Sequence, residues 1–212
     1  MNALCLLVSG GEYAELPDAL TCADYVIACD RGWLYADRLG LVPDLVIGDF
    51  DSAPPPGEEN IAVERVPTQK DDTDTMLAAR RAIELGFRKI GICCAFGGRL
   101  DHTMANIQTA VWLASRGAHV HLAGKDCEAV VIRGNTERLP RREGWSLSVF
   151  ALTDTCSGVS IRGTKYECDD IQMTSHFPLG ISNTWSSGEA VVSVREGILM
   201  IMLSRLQDAE HI

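Results

Sequence analysis

"KIGICCAFGGRLDHTMANIQTAVWLASRGAHVHLAG", residues 89–124, decides the fold. An apolar run over 89–96 breaks at Gly97 and Gly98, helical periodicity runs over 99–117 to a closing glycine, and a second apolar run occupies 118–124. Near-continuous apolar strands joined through a helix are the signature of a largely parallel sheet covered on both faces. The same alternation extends toward the N-terminus, with strands expected over 3–10, 25–30, 44–50 and 61–66 and helices over 32–41 and 72–87. Beyond about residue 128 the pattern changes to short β-prone runs between turn signals, as in "WSLSVFAL" (145–152) and "GVSIRG" (158–163). In "EAVVSVREGILMIML" (189–203), "REG" reads as a short glycine-containing hairpin turn between two strands. The chain therefore reads as an α/β domain over 1–126 followed by a smaller antiparallel β-sandwich or barrel over 127–212.

The charge balance narrows the function. With 29 acidic residues against 19 basic ones, the net charge of -10 argues against broad electrostatic binding to nucleic acid or an anionic membrane. A negatively charged substrate would need locally placed cations or a metal. The N-terminal apolar stretch is short, lacks a basic leader and runs into Gly10 and Gly11, so it reads as a first strand rather than a signal peptide. No apolar run is long enough to span a bilayer. The eight cysteines contain no Cys-x-x-Cys pair and read as reduced, packed thiols of a cytoplasmic protein.

In an open parallel sheet, ligands bind outside the carboxyl ends of the strands, and several unusual residues fall there. Asp30 follows "YVIAC"; Asp49 and Asp51 follow "LVIG" with Phe50 between them. On an extended segment, residues two apart share a direction, so both carboxylates can face one point where a divalent cation relieves their repulsion. A turn-capping Asp beside a solvated one is the alternative. "QKDDTD" (69–74) adds Lys70, Asp71, Asp72 and Asp74 at a helix start, where acids also serve as ordinary caps, and Asp74 can project back across the crevice. Gly97 and Gly98 let backbone amides approach an anion, and Arg99 adds charge. Asp101 can orient Arg99 or cap the helix, while His102 and Asn106 lie one turn apart on one face. In "GISNTW" (180–185), Ser182, Asn183 and Trp185 offer hydrogen bonds and an indole for a flat heteroaromatic ligand, or else a turn followed by a core tryptophan.

Together these stretches resemble the bacterial type of thiamine pyrophosphokinase. The match rests on "CDRG" (29–32), "PDLVIGDFDS" (43–52), "KDDTD" (70–74), "GGRLDH" (97–102) with Asn106, "GTKYE" (163–167) and "GISNTW" (180–185), in that order. The resemblance implies a Rossmann-like domain followed by a β-sandwich, and transfer of a diphosphoryl group from ATP to thiamine, giving thiamine diphosphate and AMP. It implies Mg²⁺ on Asp49, Asp51 and Asp74, with Asp30 as a further site acid. Residues 97–101 fall in the nucleotide and phosphate site, and Ser182 and Asn183 in the thiamine segment. Homodimers with intersubunit active sites are also implied. Asp71 and Asp30 are candidates by position for accepting the hydroxyl proton. One departure stands out: the family commonly has Asp-Gly-Gly where this chain has Asp30-Arg31-Gly32.

Competing readings are a diphosphokinase for another primary alcohol, such as a hydroxymethylpterin, and a non-catalytic nucleotide- or thiamine-binding regulator. A haloacid-dehalogenase-type phosphatase would need its nucleophilic Asp after the first strand, and "LVSGG" has none. The proline-rich 52–60 segment reads as a loop or lid.

Overall fold

The six apolar runs of the N-terminal part are six strands: β1 (Leu4–Val8), β2 (Tyr25–Cys29), β3 (Leu45–Gly48), β4 (Ala62–Arg65), β5 (Lys89–Cys93) and β6 (His119–Ala123). Among the described residues, the α-helices between them are α1 (Gly32–Arg38), α2 (Asp74–Glu84) and α3 (Leu100–Ser115). This computed structural model describes residues 3–50, 54–57, 61–67, 69 and 71–206. The chain forms two units, Met1–Lys125 and Asp126–Ile212.

In the first unit every strand pairing is parallel, in the order β4-β3-β2-β1-β5-β6. The chain lays β2, β3 and β4 successively to one side of β1, then crosses back through α2 to start β5 on the other. That reversal makes a topological switch point between the carboxyl ends of β1 and β5. β1 and β5 have almost no exposed side chain, as strands covered on both faces require, whereas β4 is an exposed edge. α2 presents Thr75, Ala78, Ala79 and Ala82 to the interior, small residues that let the helix sit close to the sheet. Its N-cap is Thr73, whose Oγ1 accepts from Met76 N at 3.2 Å, so the first-turn Asp74 is left for other work.

The second unit is a sandwich of β7 (Cys127–Arg133), β8 (Thr136–Pro140), β9 (Trp145–Ala151), β10 (Thr155–Arg162), β11 (Cys168–Thr174), β12 (Glu189–Ser193) and β13 (Ile198–Arg205). One layer is β7-β13-β9 and the other β11-β10-β12-β8, antiparallel throughout. Their inner faces meet in one core that includes Leu147, Val159, Val192, Leu199 and Ile201.

Two local expectations are corrected. The "REG" segment is not a hairpin turn: β12 pairs with β8 and β10, β13 with β7 and β9, so Arg195, Glu196 and Gly197 carry the chain from one layer to the other. The crossing is tight, with Gly197 at φ +95° and a Cβ there 2.7 Å from Cys156 Sγ. The strand expected over 44–50 stops at Gly48, and Phe50 adopts a left-handed φ of 58°. Phe50 packs against the core, as its place between the two acids led one to expect. Asp51 itself lies outside the described residues.

Candidate functional site

A cavity of about 610 Å³ opens at the switch point of the first unit. Four chain segments line it: residues 9–12 after β1, residues 29–31 after β2, residues 73–75 at the start of α2, and residues 97–106 around the start of α3. The first and last are zipped together beyond their strands, since Ser9 N donates to Cys93 O (3.0 Å), Gly11 N to Cys94 O (3.1 Å) and Glu12 N to Phe96 O (3.1 Å). The cavity floor is a buried polar cluster. Asn106 Nδ2 donates to Ala95 O at 2.8 Å and Ser9 Oγ at 3.3 Å, and Ser9 Oγ is hydrogen-bonded to Thr75 Oγ1 at 3.1 Å. This network locks β1, α2 and α3 to one another beneath the opening.

Asp30 leaves β2 with a left-handed φ of 44°, and its backbone N–H donates to Ile47 O at 2.7 Å. Its Oδ1 is buried without a hydrogen-bond partner among the described residues. A buried carboxylate oxygen in that state is a costly arrangement unless something binds it. Asp74 lines the same cavity, and its charge helps raise the pKa of the neighbouring Cys29 thiol, after the larger effect of burial. Two hard oxygen donors in a phosphate-sized cleft fit a Mg²⁺ ion, which takes few carboxylates and completes its shell with water and phosphate oxygens.

On the opposite lip, Gly97 and Gly98 turn the chain with φ of 81° and 67°. A Cβ at Gly97 would lie 2.7 Å from Glu12 Cβ on a left-handed backbone, so a side chain there is strained; at Gly98 the space is open. Arg99 and Asp101 form a forked pair, Nε to Oδ1 at 3.1 Å and Nη2 to Oδ2 at 2.5 Å, and Asp101 Oδ1 also accepts from His102 N at 3.0 Å. The guanidinium holds the Asp101 carboxyl below the usual carboxylate range. Asp101 thus orients Arg99, one of the two roles the sequence allowed, and His102 and Asn106 both line the cavity.

Asp49, at the end of β3, is half-buried and is not among the described lining residues. Asp71 is exposed and also outside that lining, while Asp72 is engaged by Arg80 (Nε to Oδ2, 2.9 Å). Asp51 and Lys70 lie outside the described residues. Sequence reasoning missed Ser9, Gly10, Gly11 and Glu12, although "LVSGGE" repeats the strand-then-paired-glycine pattern of "CAFGG" and carried the signal.

In the second unit, Ser182 is exposed with φ 56°, its N–H donating to Ser148 Oγ at 3.0 Å. Asn183 is buried and its amide is saturated. Oδ1 accepts from Tyr166 N and Thr184 N, both at 3.0 Å; Nδ2 donates to Thr164 Oγ1 at 3.0 Å and Tyr166 O at 2.7 Å. Trp185 belongs to the core, its Nε1 donating to Leu139 O at 3.0 Å. The structure thus places Asn183 and Trp185 as anchors of the "GISNTW" segment, pinning it to "GTKYE", and leaves Ser182 on the surface.

A switch-point crevice with glycine turns, two arginines and the Asp30 and Asp74 carboxylates, in an α/β unit followed by an antiparallel sandwich, is the arrangement of an α/β protein suited to a phosphate-bearing ligand. Residues 16–122 match the family model described as "Thiamin pyrophosphokinase, catalytic domain", and residues 136–199 the one described as "Thiamin pyrophosphokinase, vitamin B1 binding domain". The chain belongs to the thiamin pyrophosphokinase family, whose activity is ATP-dependent diphosphoryl transfer. It is 26% identical over 207 residues to the thiamine pyrophosphokinase of Bacillus subtilis, covering 93% of this chain and 97% of that one. A crystal structure of the Bacillus subtilis enzyme superposes with a TM-score of 0.81 at 24% identity, covering 95% and 99% of the two chains. The enzyme from Geobacillus thermodenitrificans superposes at 0.80 with 25% identity, covering 99% and 100%.

Proposed function

We propose that the switch-point cavity is where this chain holds ATP, with the phosphates between the Asp30 and Asp74 carboxylates and the Gly97, Gly98 and Arg99 lip. The observation that supports this most directly is the buried Asp30 Oδ1, which lacks a partner in a cavity otherwise shaped for an anion. Mg²⁺ held by Asp74, with Asp49 and Asp51 as the further acids named from the sequence, would neutralise phosphate charge and polarise the bond that breaks. The protein's own contribution is positional. Diphosphoryl transfer breaks the bond between Pβ and the oxygen that bridges it to Pα; that oxygen leaves with AMP, and the thiamine hydroxyl oxygen, giving up its proton, takes its place on Pβ. Arg99, held by Asp101, and the amides of the glycine turn stabilise charge on the phosphate oxygens, and the Asn106 cluster keeps those lips in register. Asp30, which lines the cavity, is the candidate carboxylate for accepting the hydroxyl proton.

Thiamine is assigned to the surface carrying Ser182, with Asn183 and Trp185 as positioning residues. That surface also exposes Tyr166, Phe177, Leu179 and Ile181, which supports a homodimer in which a second copy covers it. Among the described residues no helix is long and apolar enough to cross a membrane, and eight free cysteines suit a reducing, cytoplasmic setting.

The test is turnover of MgATP and thiamine with AMP and thiamine diphosphate followed separately. Asp74→Asn should lower kcat by roughly a hundredfold or more, through lost charge stabilisation. Near-wild-type turnover at limiting Mg²⁺ would remove Asp74 from the site. Sedimentation should give a dimer, and a monomer at micromolar concentration would refute the assembly.

A further inference from the structure

Arg31 lines the cavity opposite Arg99, and the chain builds a support for it that the reaction described above does not use. Its Nη2 donates to Tyr35 OH at 3.0 Å, one helical turn along α1, and that hydroxyl donates in turn to Gly11 O at 3.1 Å. The guanidinium carbon stands 5.6 Å from the centroid of the same ring. Tyr35 is itself fixed by an edge-on contact with Tyr13 at 5.6 Å between centroids, and Tyr13 lies under Arg38 at 3.6 Å. A cation at an exposed loop usually costs rotamer entropy to hold in place. Here two tyrosines and a backbone carbonyl restrain it over the opening. Among the described residues no carboxylate pairs with Arg31, and the residue lines the cavity. The bare backbone of Gly10 leaves room for its stem, because a Cβ there would come within 3.1 Å of Arg31 Cγ.

We infer that Arg31 is a second phosphate-binding residue, a planar donor clamping the nucleotide's phosphate chain from the β2 side while Arg99 holds it from the α3 side, with Tyr35 as its positioning residue. The inference rests on the reading of the cavity as the ATP site. Two guanidinium groups on opposite lips offset the acids Glu12, Asp30 and Asp74 that line the same opening, so a polyanion meets donors on both flanks.

Calorimetric binding of MgATP and steady-state kinetics on single and double variants test it. Arg31→Gln should weaken MgATP binding and raise KM for ATP by about tenfold, the loss of one charge-assisted hydrogen-bonded contact, with KM for thiamine unchanged. Arg31→Lys should recover part of that loss, since an ammonium supplies the charge without the fork. Tyr35→Phe should raise KM for ATP about threefold in the wild type and leave it unchanged in the Arg31→Gln background, because the hydroxyl acts only through the guanidinium. Unchanged ATP affinity in Arg31→Gln, or equal losses toward ATP and thiamine, would overturn the inference, as would full additivity of the two substitutions. If Asp74→Asn impairs turnover while Arg31→Gln leaves ATP affinity intact, the inference alone fails. If neither variant changes nucleotide binding or turnover, the assignment of the cavity fails with it.

Discussion

Asn183→Ala separates a structural anchor from a ligand contact. The amide makes four hydrogen bonds, to Tyr166 N, Tyr166 O, Thr184 N and Thr164 Oγ1, at 2.7 to 3.0 Å. Truncation removes all four bonds. Thr164 Oγ1 and Tyr166 O keep the bond they make to each other, so the Tyr166 and Thr184 N–H groups are the two left without a partner. That leaves the equivalent of about two buried polar groups unsatisfied at ~1–3 kcal/mol each, or about 3 kcal/mol in total. For a chain of this size the melting temperature should fall by about 6–12 °C. Asn183→Asp sharpens the test, because it keeps the oxygen that accepts from Tyr166 N and Thr184 N but turns a carboxylate oxygen toward Tyr166 O. Burial and that carbonyl raise the introduced carboxyl's folded pKa above its unfolded one. The variant therefore comes closest to wild type below about pH 4 and loses stability as pH rises through the raised value. Thermal unfolding monitored by circular dichroism, each variant against wild type at the same pH, measures both effects. A melting temperature of Asn183→Ala within about 1 °C of wild type, accompanied by a raised KM for thiamine, would refute the anchor and make Asn183 a direct contact.

Gly97→Ala combines a left-handed backbone with a 2.7 Å clash against Glu12 Cβ and should cost about 2–4 kcal/mol, whereas Gly98→Ala, in open space, should cost only about 1 kcal/mol; equal melting temperatures would contradict the close approach to Glu12. Burial, with a smaller push from Asp44, drives the Cys5 thiol up to about 12, so it stays protonated across the neutral range. Ellman's reagent on native protein at pH 8 should react fast at exposed Cys22 and slowly at buried Cys5 and Cys29; rapid labelling of Cys5 would show that β1 opens. Asp30→Gly should relieve about 1 kcal/mol of left-handed strain and remove the stranded oxygen, leaving a protein at least as stable as wild type but with turnover lowered about a hundredfold or more. A destabilised but active variant would make Asp30 structural.

The first unit was legible because its chemistry is repetitive. Strands buried on both faces read as unbroken apolar runs, and "CCAFGGRLDH" marks a strand end, a turn and a helix start in ten residues. β8 and β11 escaped notice for the converse reason. "TERLP" and "CDDIQMT" are the edges of their layer, half-solvated and polar, so alternation is faint. The "REG" crossing was misread because local turn chemistry cannot tell a return within one layer from a step into the other; only the long-range partners of β12 and β13 settle that. Trp185 was ambiguous for a similar reason. An indole that ends in the core and one that stacks on a ligand have the same local sequence, and the 46-residue separation of its hydrogen bond to Leu139 lies beyond any local pattern. Tyr35 carried no signal, since its place beneath Arg31 follows from α1 packing beside the β1 loop.

The strain in the first unit is placed as well as its acids. Its three left-handed non-glycine residues among those described are Asp30, Phe50 and Cys94, one or two positions beyond the ends of β2, β3 and β5. Each costs of order 1–3 kcal/mol relative to an ordinary conformation, and glycine would avoid most of it. In each case the side chain is used: Asp30 lines the cavity, Phe50 packs into the core beneath β3, and Cys94 approaches Ala14 O at 3.9 Å. Turning sharply just beyond the strand ends lets a rigid parallel sheet bring its loops around one opening. The floor network of Ser9, Thr75 and Asn106 then holds those loops from below. Charge stabilisation during transfer depends on donors that do not reorganise, and strained turns over a satisfied buried network supply that rigidity where glycine-rich loops alone would not.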